Sequence, residues 1–137
     1  MNQIQIRKDE RNCLVIQTPY FKEEIITNDI VEIKNKNAFK WLGRFDNVIN
    51  SGGIKLIPEQ IEKKLKPFIN SEFIISSLPD PILGEKLILI IESKKFEFNL
   101  PENLLDKYEN PKEIFFIEKF PRTESNKIKR QDLLNLL

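Results

Sequence analysis

Glycine is scarce in this sequence, and its placement limits the fold more than any other feature does. Of only four glycines, three (Gly43, Gly52 and Gly53) fall inside one stretch, WLGRFDNVINSGGIKLIPEQIEKKL. Glycine is required where the backbone turns to positive φ or where another group must approach it closely, so special geometry is concentrated there. The stretch reads as a strand over Asn47–Asn50, a tight turn at Ser51–Gly53 and a returning strand over Ile54–Leu56. Pro58 suits the first position of a helix, because its missing N–H would have no partner there anyway. Ile61, Leu65 and Phe68 or Ile69 then recur at helical spacing, while Glu59, Glu62, Lys63 and Lys66 stay polar, predicting an amphipathic helix of about three turns.

Before this stretch the pattern is strand-like. Ile4 and Ile6 alternate, DERN makes a polar turn, Leu14–Ile16 is β-rich, and Ile30, Val31 and Ile33 follow Asp29, which suggests two hairpins. NKN at 35–37 interrupts that run, and Phe39–Trp41 resumes an apolar segment that ends at Gly43. After it, Phe73–Leu78 reads as a strand stopped by Pro79-Asp80-Pro81, and Lys86–Ser93 as a longer one. Phe96 and Phe98 alternate with charge as on a half-exposed strand. Pro101–Tyr108 suggests a short helix, Ile114–Ile117 a strand, and Gln131–Leu137 a terminal helix with Leu133, Leu134 and Leu137 inward. The expected class is α+β: small mixed sheets and a hairpin covered by about three helices, preceded by short β-hairpins.

Composition narrows the functions available. With 137 residues, 22 Lys+Arg, 21 Asp+Glu and a net charge of +1, the chain has the size of one ordinary domain and no basic excess of the kind nucleic-acid binders carry. It holds no histidine, which excludes, within this chain, hydrolases that use a histidine base and metal sites built on imidazole. Cys13 is the single cysteine, cannot form an internal disulfide, and reads as a small buried hydrophobe in a reducing, cytoplasmic setting. MNQIQIRKDE has no apolar core of the signal-peptide kind, and the run Leu87–Ile91 is too short to cross a bilayer.

Carboxylates, lysines, arginines and glycine-rich backbone remain as chemistry-bearing groups. Arg44 is placed either to hold a phosphate or ribose oxygen or to pair on the surface with Asp46 or Glu62. Lys127, with Lys129 and Arg130 behind it, reads by itself as a solvated basic face. Ser51-Gly52-Gly53 is by default a hairpin turn, and Asp29 after Thr27-Asn28 is by default a turn or cap residue.

Taken in order, TNDIVEI (27–33), WLGRFDNVINSGGIKLIPEQIE (41–62) and PRTESNKIKR (121–130) resemble the carboxyl-terminal part of the adenylate-forming enzymes, the AMP-forming acyl-CoA synthetases and their relatives. Within that group, GRFDNVINSGGIKLIPEQIE is most similar to the o-succinylbenzoate-CoA ligases of menaquinone biosynthesis. The resemblance implies a ribose-binding carboxylate at Asp29, a ribose and phosphate ligand at Arg44 and a hinge at Asp46. It implies a loop at Ser51, Gly52 and Gly53 that lines the CoA passage, and the adenylation lysine at Lys127. It further implies ATP, CoA and Mg2+ in the complete enzyme, a small carboxylic acid as substrate, and a large amino-terminal adenylation domain as the missing partner. Residues 1–45 then correspond to the terminal β segment of the large domain and the approach to the hinge, and residues 46–137 to the mobile domain.

The pattern departs from the family's at Asn28 and Asn126, each standing where glycine is usual; asparagine tolerates left-handed backbone, so both are expected to keep the turn. The phosphate loop and acyl pocket have no counterpart in this sequence, and the chain alone is expected to be inactive. The alternatives are a free-standing, non-catalytic interaction module derived from this domain, a ligase for another acid, or, more weakly, an RNA-binding patch over Lys127–Arg130.

Overall fold

A computed structural model describes residues 4–137. The first part is an antiparallel meander of β1 (Gln5–Lys8), β2 (Cys13–Gln17), β3 (Ile25–Asn35) and β4 (Ala38–Arg44), in that spatial order. The two expected hairpins merge into one sheet because β3 is 11 residues long and pairs with β2 on one edge and β4 on the other. Asn12 makes the first turn in left-handed conformation, with φ 67°. Cys13, Leu14, Val15, Ile30 and Val31 are buried, whereas Ile26, Phe39 and Trp41 remain exposed.

The second sheet contains β5 (Ile49–Ser51), β6 (Ile54–Leu56), β7 (Phe73–Asp80), β8 (Gly84–Glu92) and β9 (Glu113–Ile117). Strand β8 is its axis. One edge of β8 pairs antiparallel with β7 from Phe73↔Ile91 to Asp80↔Gly84. The other edge meets β5 at Ser51↔Gly84 and then β9, in parallel, from Ile88↔Glu113 to Glu92↔Ile117. Leu87 to Ile91 are all buried, as a strand covered on both faces must be. Leu87, Leu89 and Ile91 face one core with Ile61 and Leu65 of α1 (Pro58–Leu65); Ile88 and Ile90 face a second with Phe120 and with Leu133 of α2 (Arg130–Asn135).

The class is α+β, as expected, and several local expectations are corrected. Pro101–Tyr108 forms turns rather than a helix. Asn103 sits at φ 67°, and Asp106 Oδ1 accepts the N–H groups of Tyr108 and Glu109, so a side chain takes bonds that a helix would have needed. Only two α-helices therefore form among the described residues, and α1 ends after 8 residues in a 3₁₀ turn (Lys66–Phe68) because Pro67 cannot continue it. Phe96 and Phe98 lie outside any strand and pack as rings, with Phe96 5.4 Å from both Phe98 and Phe116. Strand β7 runs on through Pro79 and Asp80, which its edge position permits, since an edge proline forfeits no ladder bond. At the far end Leu133 is fully buried, but Leu137 is exposed rather than inward.

Candidate active site

Asp29 and Arg44 are direct cross-strand partners on β3 and β4. Asp29 Oδ1 accepts from Arg44 Nη1 at 3.0 Å and from Trp41 Nε1 at 3.2 Å. Its other oxygen has no protein partner among the described residues. Thr27 braces the segment: its hydroxyl donates to Leu14 O at 2.7 Å and accepts the Asp29 N–H at 3.2 Å. Of the two surface pairings considered for Arg44, Asp46 is only loosely met, at 3.9 Å. Glu62 instead lies 3.6 Å from Arg130 and accepts the Ile75 N–H at 2.9 Å; burial raises its pKa.

Trp41 and Arg11 were not legible as site residues. Residues three apart on a regular strand point to opposite faces, yet Trp41 and Arg44 reach one carboxylate. The register explains this: Ile30 pairs with Gly43 and Val31 with Trp41, so β4 carries a bulge that returns Trp41 to the Asp29 side. No periodicity in the sequence announces that bulge. Arg11 donates to Asn28 Oδ1 at 2.9 Å and stacks 5.0 Å above the Phe45 ring. Asn28 itself is an ordinary strand residue within β3, so the left-handed turn expected there is absent.

Asp46 lies in a single 3₁₀ turn, Phe45–Asn47, with a largely exposed side chain. The turn is tied to α1 by Glu59, whose Oε2 accepts the Arg44 N–H at 3.1 Å and Asn47 Nδ2 at 2.9 Å. Gln60 Nε2 donates to Leu42 O at 2.5 Å. Gly43 makes this approach possible: a Cβ there would stand 2.5 Å from Ile57 Cγ2 and 2.6 Å from Glu59 Oε1.

Gly52 and Gly53 form the two-residue turn between β5 and β6 with φ 60° and 84°, the pair of positive angles a type I′ hairpin turn demands. Ser51 belongs to β5 rather than to the turn. Gly53 has open space where a side chain would be.

Lys127 sits in a loop stitched by Thr123 N–H to Lys127 O at 2.8 Å, Asn126 N–H to Thr123 O at 2.9 Å and Lys129 N–H to Pro121 O at 2.9 Å. Asn126 is left-handed, φ 68°, as expected of a residue replacing glycine. Arg122, Asn126, Lys127, Arg130 and Glu72 line a recess of about 330 Å³. Arg122 and Arg130 are each committed to a carboxylate, whereas the Lys127 ammonium has no partner among the described residues. A wider cleft of about 800 Å³ is lined by Trp41, by Glu59 and Glu62 of α1, and by Glu72, which it shares with the lysine recess.

The residues singled out from sequence thus fall into three places: Asp29, Arg44 and Asp46 together, the Ser51–Gly53 turn, and Lys127. No hydrogen bond or ion pair among the described residues joins one place to another. Cys13 is buried, and burial pushes its thiol pKa up, which suits an inert thiol. No group of three or more metal-ligating side chains occurs among the described residues. No described helix is long and apolar enough to cross a membrane.

No protein-family model matches the chain. Mouse acyl-coenzyme A synthetase ACSM5, a mitochondrial protein by its name, is 33% identical over 124 residues, covering 80% of this chain and 21% of its own length. The chain therefore spans about a fifth of that relative. Among solved structures, an acyl-CoA synthetase (AMP-forming)/AMP-acid ligase II-like protein from Dyadobacter fermentans is 37% identical, with a TM-score of 0.58, over 97% of this chain and 41% of that one. Wild-type E. coli MenE, bound to a phenylether-linked analogue of OSB-AMS, has a TM-score of 0.74 over 97% of this chain and 33% of its own, but at 17% identity it attests the fold alone. In sequence and in fold the chain corresponds to the carboxyl-terminal domain of the AMP-forming acyl-CoA synthetases, within the adenylate-forming superfamily.

Proposed function

We propose that this chain is the carboxyl-terminal part of an ATP-dependent acid-CoA ligase, working with a large amino-terminal domain that holds the acid and the ATP phosphates. In the first half-reaction an oxygen of the substrate carboxylate attacks the α-phosphorus of ATP, the bond to pyrophosphate breaks, and an acyl-adenylate forms. In the second the CoA thiol attacks the acyl carbonyl, its proton is lost, and AMP leaves with the bonding pair. The observation that carries the reading is the state of Asp29. One oxygen is fixed by Arg44 and Trp41, and the other is unclaimed, which leaves an oriented acceptor for two vicinal ribose hydroxyls.

Arg44 then donates to ribose and phosphate oxygens, and Lys127, an uncommitted cation on a braced loop, holds the two anions together as they react. Asp46 is the hinge between residues 1–45 and 46–137, and the Ser51–Gly53 turn replaces Lys127 at the site when CoA enters. The finer reading of the acid as o-succinylbenzoate rests on the resemblance of the 43–62 stretch alone. The cytoplasmic setting rests on the sequence reading alone. A non-catalytic interaction module would have no need to keep Asp29, Arg44 and Lys127 in this state.

The test is a chimaera in which this chain replaces the matched segment of the Dyadobacter protein. ATP–pyrophosphate exchange is measured over a panel of carboxylic acids that includes o-succinylbenzoate. Exchange is expected from the chimaera, a loss of about 10²–10³-fold from its Lys127→Ala variant, and none from this chain alone. A folded but inactive chimaera, made from an active parent, would overturn the proposal, as would robust exchange by the isolated chain.

A further inference from the structure

We propose that Glu92 and Arg122 are the positioning residues of Lys127: a clamp that fixes the root of the lysine loop to the central strand of the second sheet. The inference deepens the functional reading above and rests on it for the role of Lys127. Glu92 is the last residue of β8, directly after its five buried residues. Its Oε2 accepts the Phe120 N–H at 2.7 Å and Arg122 Nη1 at 2.6 Å, and its Oε1 accepts Arg122 Nη2 at 2.6 Å. This is a two-pronged guanidinium–carboxylate pair with a third, backbone donor, and both side chains are only about a fifth exposed, at 18% and 21%. Such pairs fix orientation as well as distance, which a lysine in place of the arginine cannot do.

The clamp sits where it can control the loop. Phe120 is buried in the α2-side core and Arg122 forms a β-bridge with Ile128, the residue after Lys127. The path from strand to lysine is therefore short: β8, the Glu92 carboxylate, Arg122, the bridge to Ile128, Lys127. The far end of the loop is held by Leu133 N–H to Lys129 O at 2.9 Å and by Ile128 against the α2-side core, while the other bonds lie within residues 121–129 and by themselves would leave the near end free to tilt. Catalytic groups lose on the order of a hundredfold in rate for displacements near 1 Å, so a loop free to tilt keeps its ammonium and loses its effect. Arg122 lines the recess beside Lys127, and the two N–H groups it aims at Glu92 make it a brace for the loop.

Two measurements test this. In the isolated chain, Glu92→Gln is expected to raise amide hydrogen exchange at Thr123, Lys127 and Lys129 at least tenfold while the β8 amides keep their protection. In the chimaera, Glu92→Gln is expected to lower kcat for ATP–pyrophosphate exchange by about 10–100-fold with KM for ATP within twofold. Arg122→Lys retains the charge without the fork, is less prone to unfold the domain, and should give a smaller loss of the same kind. Unchanged loop exchange in Glu92→Gln, or a loss expressed in KM rather than kcat, would overturn the clamp. If Lys127→Ala abolishes activity while Glu92→Gln and Arg122→Lys leave it intact, the clamp alone falls. If Lys127→Ala is itself active, the reading of Lys127 falls and the clamp's catalytic role with it.

Discussion

The two sheets of this molecule have similar strand content and opposite degrees of enclosure. The β5–β9 sheet buries both faces, with Leu87, Leu89 and Ile91 against α1 and Ile88 and Ile90 against Phe120 and α2. The β1–β4 sheet has a short buried row at Cys13, Leu14, Val15, Ile30 and Val31, while Ile25, Ile26, Phe39 and Trp41 stay exposed and no helix lies among its strands. The difference teaches where stability and chemistry reside. The enclosed sheet supplies the rigid frame that carries Lys127, and the open sheet supplies Asp29 and Arg44 from a surface whose order comes mainly from its own ladder.

The comparison is tested most severely by Leu89→Ala. Leu89 is fully buried on the central strand, and truncation there is expected to cost about 2–5 kcal/mol in chemical denaturation. A cost below 1 kcal/mol would show that the second sheet is not the frame. Next in size is Gly43→Ala at the seam between the sheets, where the added Cβ would collide with Ile57 and Glu59; a loss of about 1–3 kcal/mol is expected. A neutral result would mean that α1 can retreat from β4 without penalty.

Acid sharpens the contrast further. The Arg122 hydrogen bonds hold the Glu92 carboxyl below its ordinary pKa, against a smaller opposing effect of burial. A carboxyl with a depressed folded pKa contributes stability that is complete above its unfolded value, about 4.3, and is lost as pH falls through the lower folded value. Urea midpoints measured from pH 6 down to pH 3 should therefore fall more steeply for the native protein than for Glu92→Gln. Parallel curves would remove the clamp's charge from the account. The smallest effect is expected at Ile26→Ser on the open sheet, within about 0.5 kcal/mol, because Ile26 is 67% exposed. A cost approaching that of Leu89→Ala would erase the distinction between the two sheets.

Much of the frame was legible in the sequence. The glycine pair and Pro58 marked the turn and the helix start, and the apolar Lys86–Ser93 stretch marked the strand that became β8, although its burial on both faces was not read from it. The segment Pro101–Tyr108 misled because its apolar spacing suits a helix while Asp106 and the left-handed Asn103 spend the backbone on turns. Within the candidate site, the sequence offered Arg44 only Asp46 or Glu62 as surface partners, and its pairing with Asp29 across β3 and β4 was not foreseen. The part played by Trp41 was hidden, since it depends on one inserted residue in β4, and a bulge shifts register without altering composition. Glu92 was hidden for another reason: its partner lies 30 residues away, beyond the reach of any local pattern.

The parallel pairing of β9 with β8 has a consequence for how the chain comes together. Every other strand pair among the described residues is antiparallel, but β9 reaches its place only after the chain has travelled through residues 93–112 and come round to the same direction. Closing such an excursion costs conformational entropy before any ladder bond forms in return, and pairings between distant segments are slow to form for that reason. The meander can zip from turn to turn as its strands appear, whereas the second sheet stays incomplete along half of one β8 edge until β9 docks. Phe120, Arg122 and α2 all follow β9 in the chain, so the loop that bears Lys127 is among the last parts of the molecule to acquire its shape.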